Sequence, residues 1–108
     1  LAADFLVAAG YRLVARNYRE KCGEIDIIAR DGPTWVFIEV KARRSRRYGA
    51  PVEAVTSRKQ RQISATALLY LSRHGLLDAP ARFDVVGVDL ADADRPQIVH
   101  LKDAFATG

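Results

Sequence analysis

The sequence predicts an α/β domain built on one mixed sheet, with its elements in the order α-β-β-β-α-β-β. Three observations carry that prediction. An Ala-rich apolar segment stops at a glycine; three β-rich runs follow, two of them joined through Asp31-Gly32-Pro33; then a segment of helical period leads into a Val-rich run. With 108 residues, 49% of them hydrophobic and 28% charged, the chain can fill one core but not two, so residues 1–108 form a single domain.

Leu1 to Ala9 carries Phe5 and Leu6 among alanines and ends at Gly10, a natural helix stop. Tyr11 to Tyr18 reads as a strand and Arg19 to Gly23 as a loop. Glu24 to Arg30 and Thr34 to Lys41 are strand-like runs, and the Asp-Gly between them is a hairpin signal. Ala42 to Ala50 reads as a basic loop, and Pro51 to Val55 as a short helical turn. Thr56 then caps a helix through Ile63, Ala67, Leu68 and Leu71 that stops at Gly75. Arg82 to Leu90 has the Val85, Val86, Val88 content of a buried strand. After the turn-rich Ala91 to Pro96, a shorter last strand is expected over Gln97 to Leu101.

Composition excludes several classes of function. No apolar run approaches the ~20 residues that span a bilayer, so a membrane protein of helical type is not expected. Cys22 is the only cysteine, which rules out an intrachain disulfide or a multi-cysteine zinc site and points to a reducing, cytoplasmic setting. The formal charge of +4 is unevenly spread. Arg43, Arg44, Arg46, Arg47, Arg58, Lys59 and Arg61 crowd the middle, whereas aspartates dominate the last third. Such asymmetry favours a polyanionic partner on one side of the molecule. Because Leu1 falls in what reads as the middle of an apolar helix, with no initiating Met, residues upstream of it are expected.

The chemistry concentrates in the predicted hairpin. Glu24-Ile25-Asp26 and Glu39-Val40-Lys41 put carboxylates and a lysine into otherwise apolar runs, where charge is costly to bury without compensation. Side chains alternate along a strand, so Glu39 and Lys41 share a face, as do Glu24 and Asp26. A two-residue loop at Asp31-Gly32 sets Asp26 opposite Phe37 with Glu39 diagonal; a four-residue loop sets Asp26 directly opposite Glu39. A three-residue loop without a bulge separates them. If the two carboxylates converge, a divalent cation such as Mg²⁺ or Mn²⁺ keeps both ionised, and Lys41 beside it suits phosphodiester hydrolysis. The competing explanation is the ordinary solvated face of an antiparallel sheet.

Asp26 followed by Glu39-Val40-Lys41 on the next strand resembles the PD-(D/E)XK signature of restriction-endonuclease-like nucleases. The wider phrases, Gly10-Tyr11-Arg12, Arg16-Asn17-Tyr18-Arg19, Gly23-Glu24-Ile25-Asp26, Phe37 to Arg43, Glu53-Ala54-Val55 and Arg82 to Val86, resemble the YraN family of small bacterial proteins, related to archaeal Holliday-junction resolvases. The resemblance implies a restriction-endonuclease-like mixed sheet flanked by helices and a Mg²⁺-dependent nuclease acting on DNA, branched or recombination-intermediate DNA included. It also implies that Asp26, Glu39 and the Val40 carbonyl are metal ligands and Lys41 the catalytic lysine. Ile25 stands where that superfamily has proline. The acidic residue that related nucleases add from the first helix falls upstream of Leu1, and Asp4 does not inherit its role.

Other residues are candidates beside these. Glu24 is a candidate for a second metal or a metal-bound water, against an exposed strand end. Arg58, Lys59 and Gln60 are placed to reach a phosphate from the second helix. Arg43, Arg44, Arg46 and Arg47, with Tyr48 to stack on a base or sugar, form a nucleic-acid contact beside Lys41. Arginine contacts to phosphate give affinity without sequence readout, so binding is expected to be structure-selective or nonspecific. Symmetric junction cleavage would favour a homodimer. Asp84 reads as a strand-end acid with a structural partner, His74 as a helix-end residue, His100 as part of an edge strand and Cys22 as an ordinary thiol. Two alternatives to an enzyme are a DNA-binding module of the same fold that does not cleave, and a protein-interaction scaffold.

Overall fold

The computed structural model describes residues 1–43, 55–92 and 94–106. Its elements are α1 (Ala2–Ala8), β1 (Arg12–Glu20), β2 (Gly23–Asp31), β3 (Thr34–Arg43), α2 (Ser57–Arg73), β4 (Ala81–Asp89) and β5 (Gln97–Phe105). The sequence order α-β-β-β-α-β-β is therefore what the chain adopts. The expected basic loop from Arg44 to Ala50 and the helical turn from Pro51 fall outside the described residues, apart from Val55, which is buried.

The five strands form one sheet in the order β1-β2-β3-β4-β5. Strands β3 and β4 run parallel while the other neighbours are antiparallel, so the sheet is mixed. The parallel pair requires a crossover, and α2 supplies it. Thr56 caps α2 as expected, its hydroxyl accepting the Lys59 N–H at 3.2 Å.

Each helix covers one face of the sheet. On one side Ala2, Ala3 and Leu6 of α1 pack on Ile27, Ala29, Val36, Ile38, Val86 and Val88. On the other, Ile63, Ala67, Tyr70 and Leu71 of α2 pack on Ile25, Ile28, Phe37, Phe83 and Val85. Two apolar layers around a central sheet explain why β3 and β4 read as nearly continuous hydrophobic runs.

Two turns are tighter than expected. The loop predicted over Arg19 to Gly23 shrinks to Lys21-Cys22, because Glu20 pairs with Gly23. Gly23 is glycine for space: a Cβ there would meet the Thr66 hydroxyl at 3.0 Å and the Gln62 side chain at 3.2 Å. Between β2 and β3 the two-residue turn is Gly32-Pro33, since Asp31 pairs with Thr34. Gly32 takes φ +58, the sign a primed hairpin turn needs at its first central position.

The last strand extends to Phe105, beyond the expected Leu101. The reason lies in Asp84, which is fully buried in the middle of β4 and is not a strand-end acid. Its carboxylate accepts hydrogen bonds from the Arg82 guanidinium at 3.0 Å and the Asp103 N–H at 3.0 Å, and lies 2.7 Å from His100 Nε2 and 3.4 Å from the Tyr11 hydroxyl. Asp103 adopts φ +52 to make that contact, and the β4–β5 register shifts between Phe83 and Val85. His100 is thus a partner of a buried carboxylate. Arg82 also reaches Asp31 at 3.1 Å, tying the β2–β3 turn into the cluster. No helix among the described residues is long and apolar enough to cross a membrane.

Candidate metal centre and nucleic-acid face

The β2–β3 ladder runs from Asp31–Thr34 to Ile27–Ile38, a register that continues to Asp26 opposite Glu39. This is the register expected from sequence of a four-residue loop; Asp31 and Thr34 also pair, so the turn itself has two residues, Gly32-Pro33. At that position the backbone ladder stops. The Asp26 carboxylate takes over, accepting the Val40 N–H through Oδ2 at 2.8 Å.

A kink in β2 accounts for the position of Asp26. Ile25 and Ile28 both face α2, although strict alternation over three residues would put them on opposite faces. Asp26 and Ile27, between them, therefore both escape the α2 face, and Ile27 packs on the α1 side. Strand β1 is broken in register with it: Ala15 and Tyr18 both pack on the α2 side, Arg16 and Asn17 lie between them, and Asn17 has φ +53. Asparagine tolerates that left-handed conformation better than most residues. Asp26 consequently does not share a plain strand face with Glu39 and Lys41. It sits in the gap where β2 and β3 part and lines a cavity on the α1 side.

Glu39 occupies the α2 side. Only 5% of it is exposed, and its Oε1 lies 3.5 Å from Lys41 Nζ and 3.9 Å from Lys59 Nζ. Its Oε2 is buried with no hydrogen-bond partner among the described residues. Burial pushes the Glu39 carboxyl above the ordinary carboxylate range, the Asp26 charge adds to that, and Lys59 and Lys41 oppose it. Glu39 is thus a buried acid with one oxygen engaged by two ammonium groups and the other unengaged.

The remaining sequence candidates divide into groups. Lys59 reaches the carboxylate from α2, placed by the Thr56 cap. Gln60 is committed elsewhere, since its amide donates to the Val55 carbonyl at 3.0 Å and fixes the chain entering α2. Arg58 is exposed on the first turn of α2, and Arg43 ends β3 beyond Lys41. Glu24 pairs with Arg19 at 3.3 Å, and no group of three or more His, Cys, Asp or Glu side chains converges among the described residues, so Glu24 does not join Asp26 and Glu39. Arg44, Arg46, Arg47 and Tyr48 lie outside the described residues. Sequence reasoning gave no role to Arg16 and Asn17, which line the same cavity as Asp26. The available signal was an asparagine inside a β-rich run, where it is disfavoured.

Comparison with known proteins places this arrangement in a family. Residues 1–88 match the pattern of Uncharacterised protein family UPF0102. A UPF0102 protein of Geotalea uraniireducens is 55% identical over 105 residues, covering 97% of this chain and 83% of that protein. Another from Symbiobacterium thermophilum is 53% identical over 104 residues, covering 96% and 88%. One from Rhodococcus jostii is 47% identical over 105 residues, covering 97% and 89%.

Proposed function

The chain belongs to the UPF0102 family, the YraN family of the sequence resemblance, and from that premise we propose that it is a metal-dependent nuclease hydrolysing DNA phosphodiesters, branched DNA among them. The observation that carries this reading is the unpartnered, buried Oε2 of Glu39 beside a second carboxylate. A buried acceptor left without a partner costs about 1–3 kcal/mol, more when charged, which a fold retains where the group has work to do.

Asp26 and Glu39 are the residues that would hold Mg²⁺ or Mn²⁺, with the Val40 carbonyl as a third oxygen. This donor set fits: it is all oxygen, two of its members are anionic, and Mg²⁺ keeps several waters and so needs few protein ligands. When bound, the ion supplies a water of lowered pKa and neutralises charge on the phosphate. Lys41 projects from the same face as Glu39, and its ammonium orients the attacking water or stabilises negative charge growing on the phosphoryl oxygens. Lys59 places a second positive charge on the same side. The Val40 N–H holds the Asp26 carboxylate in the gap between the strands. The lone Cys22 accords with a cytoplasmic setting, and symmetric junction cleavage would favour a two-fold dimer.

The test is a panel of linear and branched DNAs incubated with Mg²⁺, Mn²⁺ or chelator. Cleavage by the wild type should require metal and be abolished in Asp26→Asn and Glu39→Gln. Wild-type rates in both variants would overturn the assignment. A second reading, a DNA-binding module that does not cleave, is favoured by the fact that no group of three or more His, Cys, Asp or Glu side chains converges among the described residues. It predicts salt-sensitive binding that survives chelation, with no cleavage under any condition.

A further inference from the structure

The kink shared by β1 and β2 has a second product besides the position of Asp26. A cavity of about 330 Å³ opens on the α1 side of the sheet, and Arg16, Asn17, Asp26 and Val40 all contribute to its wall. The rest of the wall is apolar, with the small side chains of Ala2, Ala3 and Ala42 beside Leu1, Ile27, Val88 and Leu90. The Arg16 side chain forms no ion pair or hydrogen bond within the described residues, whereas that of its strand neighbour Arg19 is engaged by Glu24. An exposed arginine whose side chain has no carboxylate partner among the described residues therefore lines a cavity that also reaches one of the two candidate metal ligands.

The backbone is bent to achieve this. Asn17 is left-handed in the middle of a strand, a conformation that costs a non-glycine residue of order 1–3 kcal/mol and collects at functional sites. Regular alternation through Ala15, Arg16, Asn17 and Tyr18 would put Arg16 and Asn17 on opposite faces of the sheet. The kink instead removes both from the α2 face and brings both to this cavity.

We propose that Arg16 and Asn17 form a phosphate-binding subsite for the nucleic-acid strand, one nucleotide removed from the scissile phosphate. This inference rests on the nuclease reading above. The guanidinium fork and the Asn17 amide supply N–H donors of the geometry phosphate oxygens accept, and the apolar wall offers a surface for the adjoining sugar. Lys41 and Lys59 hold the α2 side of the carboxylate pair, so a strand whose next phosphate lies on Arg16 wraps around the end of the sheet, past the point where the β2–β3 ladder stops, from one side to the other. Arg16 and Asn17 act as binding residues and touch no reacting atom.

The experiment measures DNA binding by fluorescence anisotropy, in chelator, over a range of salt concentrations, using the full chain. Arg16→Ala should weaken binding about five- to tenfold at low salt and flatten the plot of log affinity against log salt by about one unit, the loss of one phosphate contact. Arg16→Lys should fall between the two. Asn17→Gly keeps the left-handed backbone and removes only the amide, so it should weaken binding with little change in slope and no loss of thermal stability. Arg12→Ala removes another exposed β1 arginine that does not line the cavity, and serves as the control for charge alone. If Arg16→Ala and Arg12→Ala match in affinity and slope, the subsite is refuted while the nuclease reading stands. If the wild type neither binds nor cleaves DNA at low salt, the nuclease reading falls and the subsite falls with it.

Discussion

Replacing Glu39 with glutamine should make this protein more stable at neutral pH while abolishing its proposed activity. The side chain is 5% exposed, and its Oε2 has no partner among the described residues. Leaving such an acceptor unsatisfied costs about 1–3 kcal/mol when neutral and more when charged, and only the excess due to charge is recovered, because a glutamine amide there is unpaired as well. Against this stands attraction to Lys41 and Lys59. Those side chains are 31% and 36% exposed, so each ion pair contributes about 0–1 kcal/mol. Glutamine keeps the shape, removes the charge and ends repulsion from Asp26. A net gain of about 1 kcal/mol follows, which for a domain of this size raises Tm by about 4 °C.

The gain must depend on pH in a defined direction. The folded-state pKa of Glu39 lies above its ordinary value of 4.5, so between those two values the native state holds a proton that the unfolded chain has released. Stability therefore falls as pH rises through that window, and the penalty is fully present above it. Below 4.5 the acid is neutral in both states and glutamine brings no advantage. Thermal denaturation followed by circular dichroism, in chelator, at about pH 4 and about pH 7.5 reads the difference. A variant less stable than wild type at the higher pH, or a gain of equal size at both, would refute the reasoning.

Two further substitutions probe the frame around the site. Asp84→Ala strips the partner from Arg82, His100 and the Asp103 N–H inside the core, and should cost about 3–5 kcal/mol, seen as a large drop in the denaturant midpoint or as failure to fold. Thr56→Ala removes the cap of α2 and should cost about 1 kcal/mol in urea unfolding; because the same turn presents Lys59, it should also weaken DNA binding more than a control substitution in the last turn of α2.

Much of the fold was legible because each element carried its own period and stop. The glycine stop after α1, the continuous apolar run of β4 and the Thr56 cap are local signals, and local signals survive into the structure. Asp26, Glu39 and Lys41 could be named for the same reason, as charges in apolar strands. The kinks could not. That Asn17 turns left-handed, and that Asp26 drops into the gap to take the Val40 N–H, depends on two strands breaking alternation together, which no single-strand pattern encodes. Strict parity would have required Asp26 to share a face with Glu39. The length of β5 was hidden likewise, because the force that holds Asp103 comes from Asp84 on another strand.

Titration of Mn²⁺ into the chain, followed by calorimetry, tests most directly whether Asp26 and Glu39 form a cation site. Wild type should bind a single ion, more tightly as pH rises, since the Glu39 carboxyl, whose pKa burial raises, must be ionised to hold it. Asp26→Asn and Glu39→Gln should each bind much more weakly. Equal binding by all three proteins, or no binding by the wild type, would contradict the site.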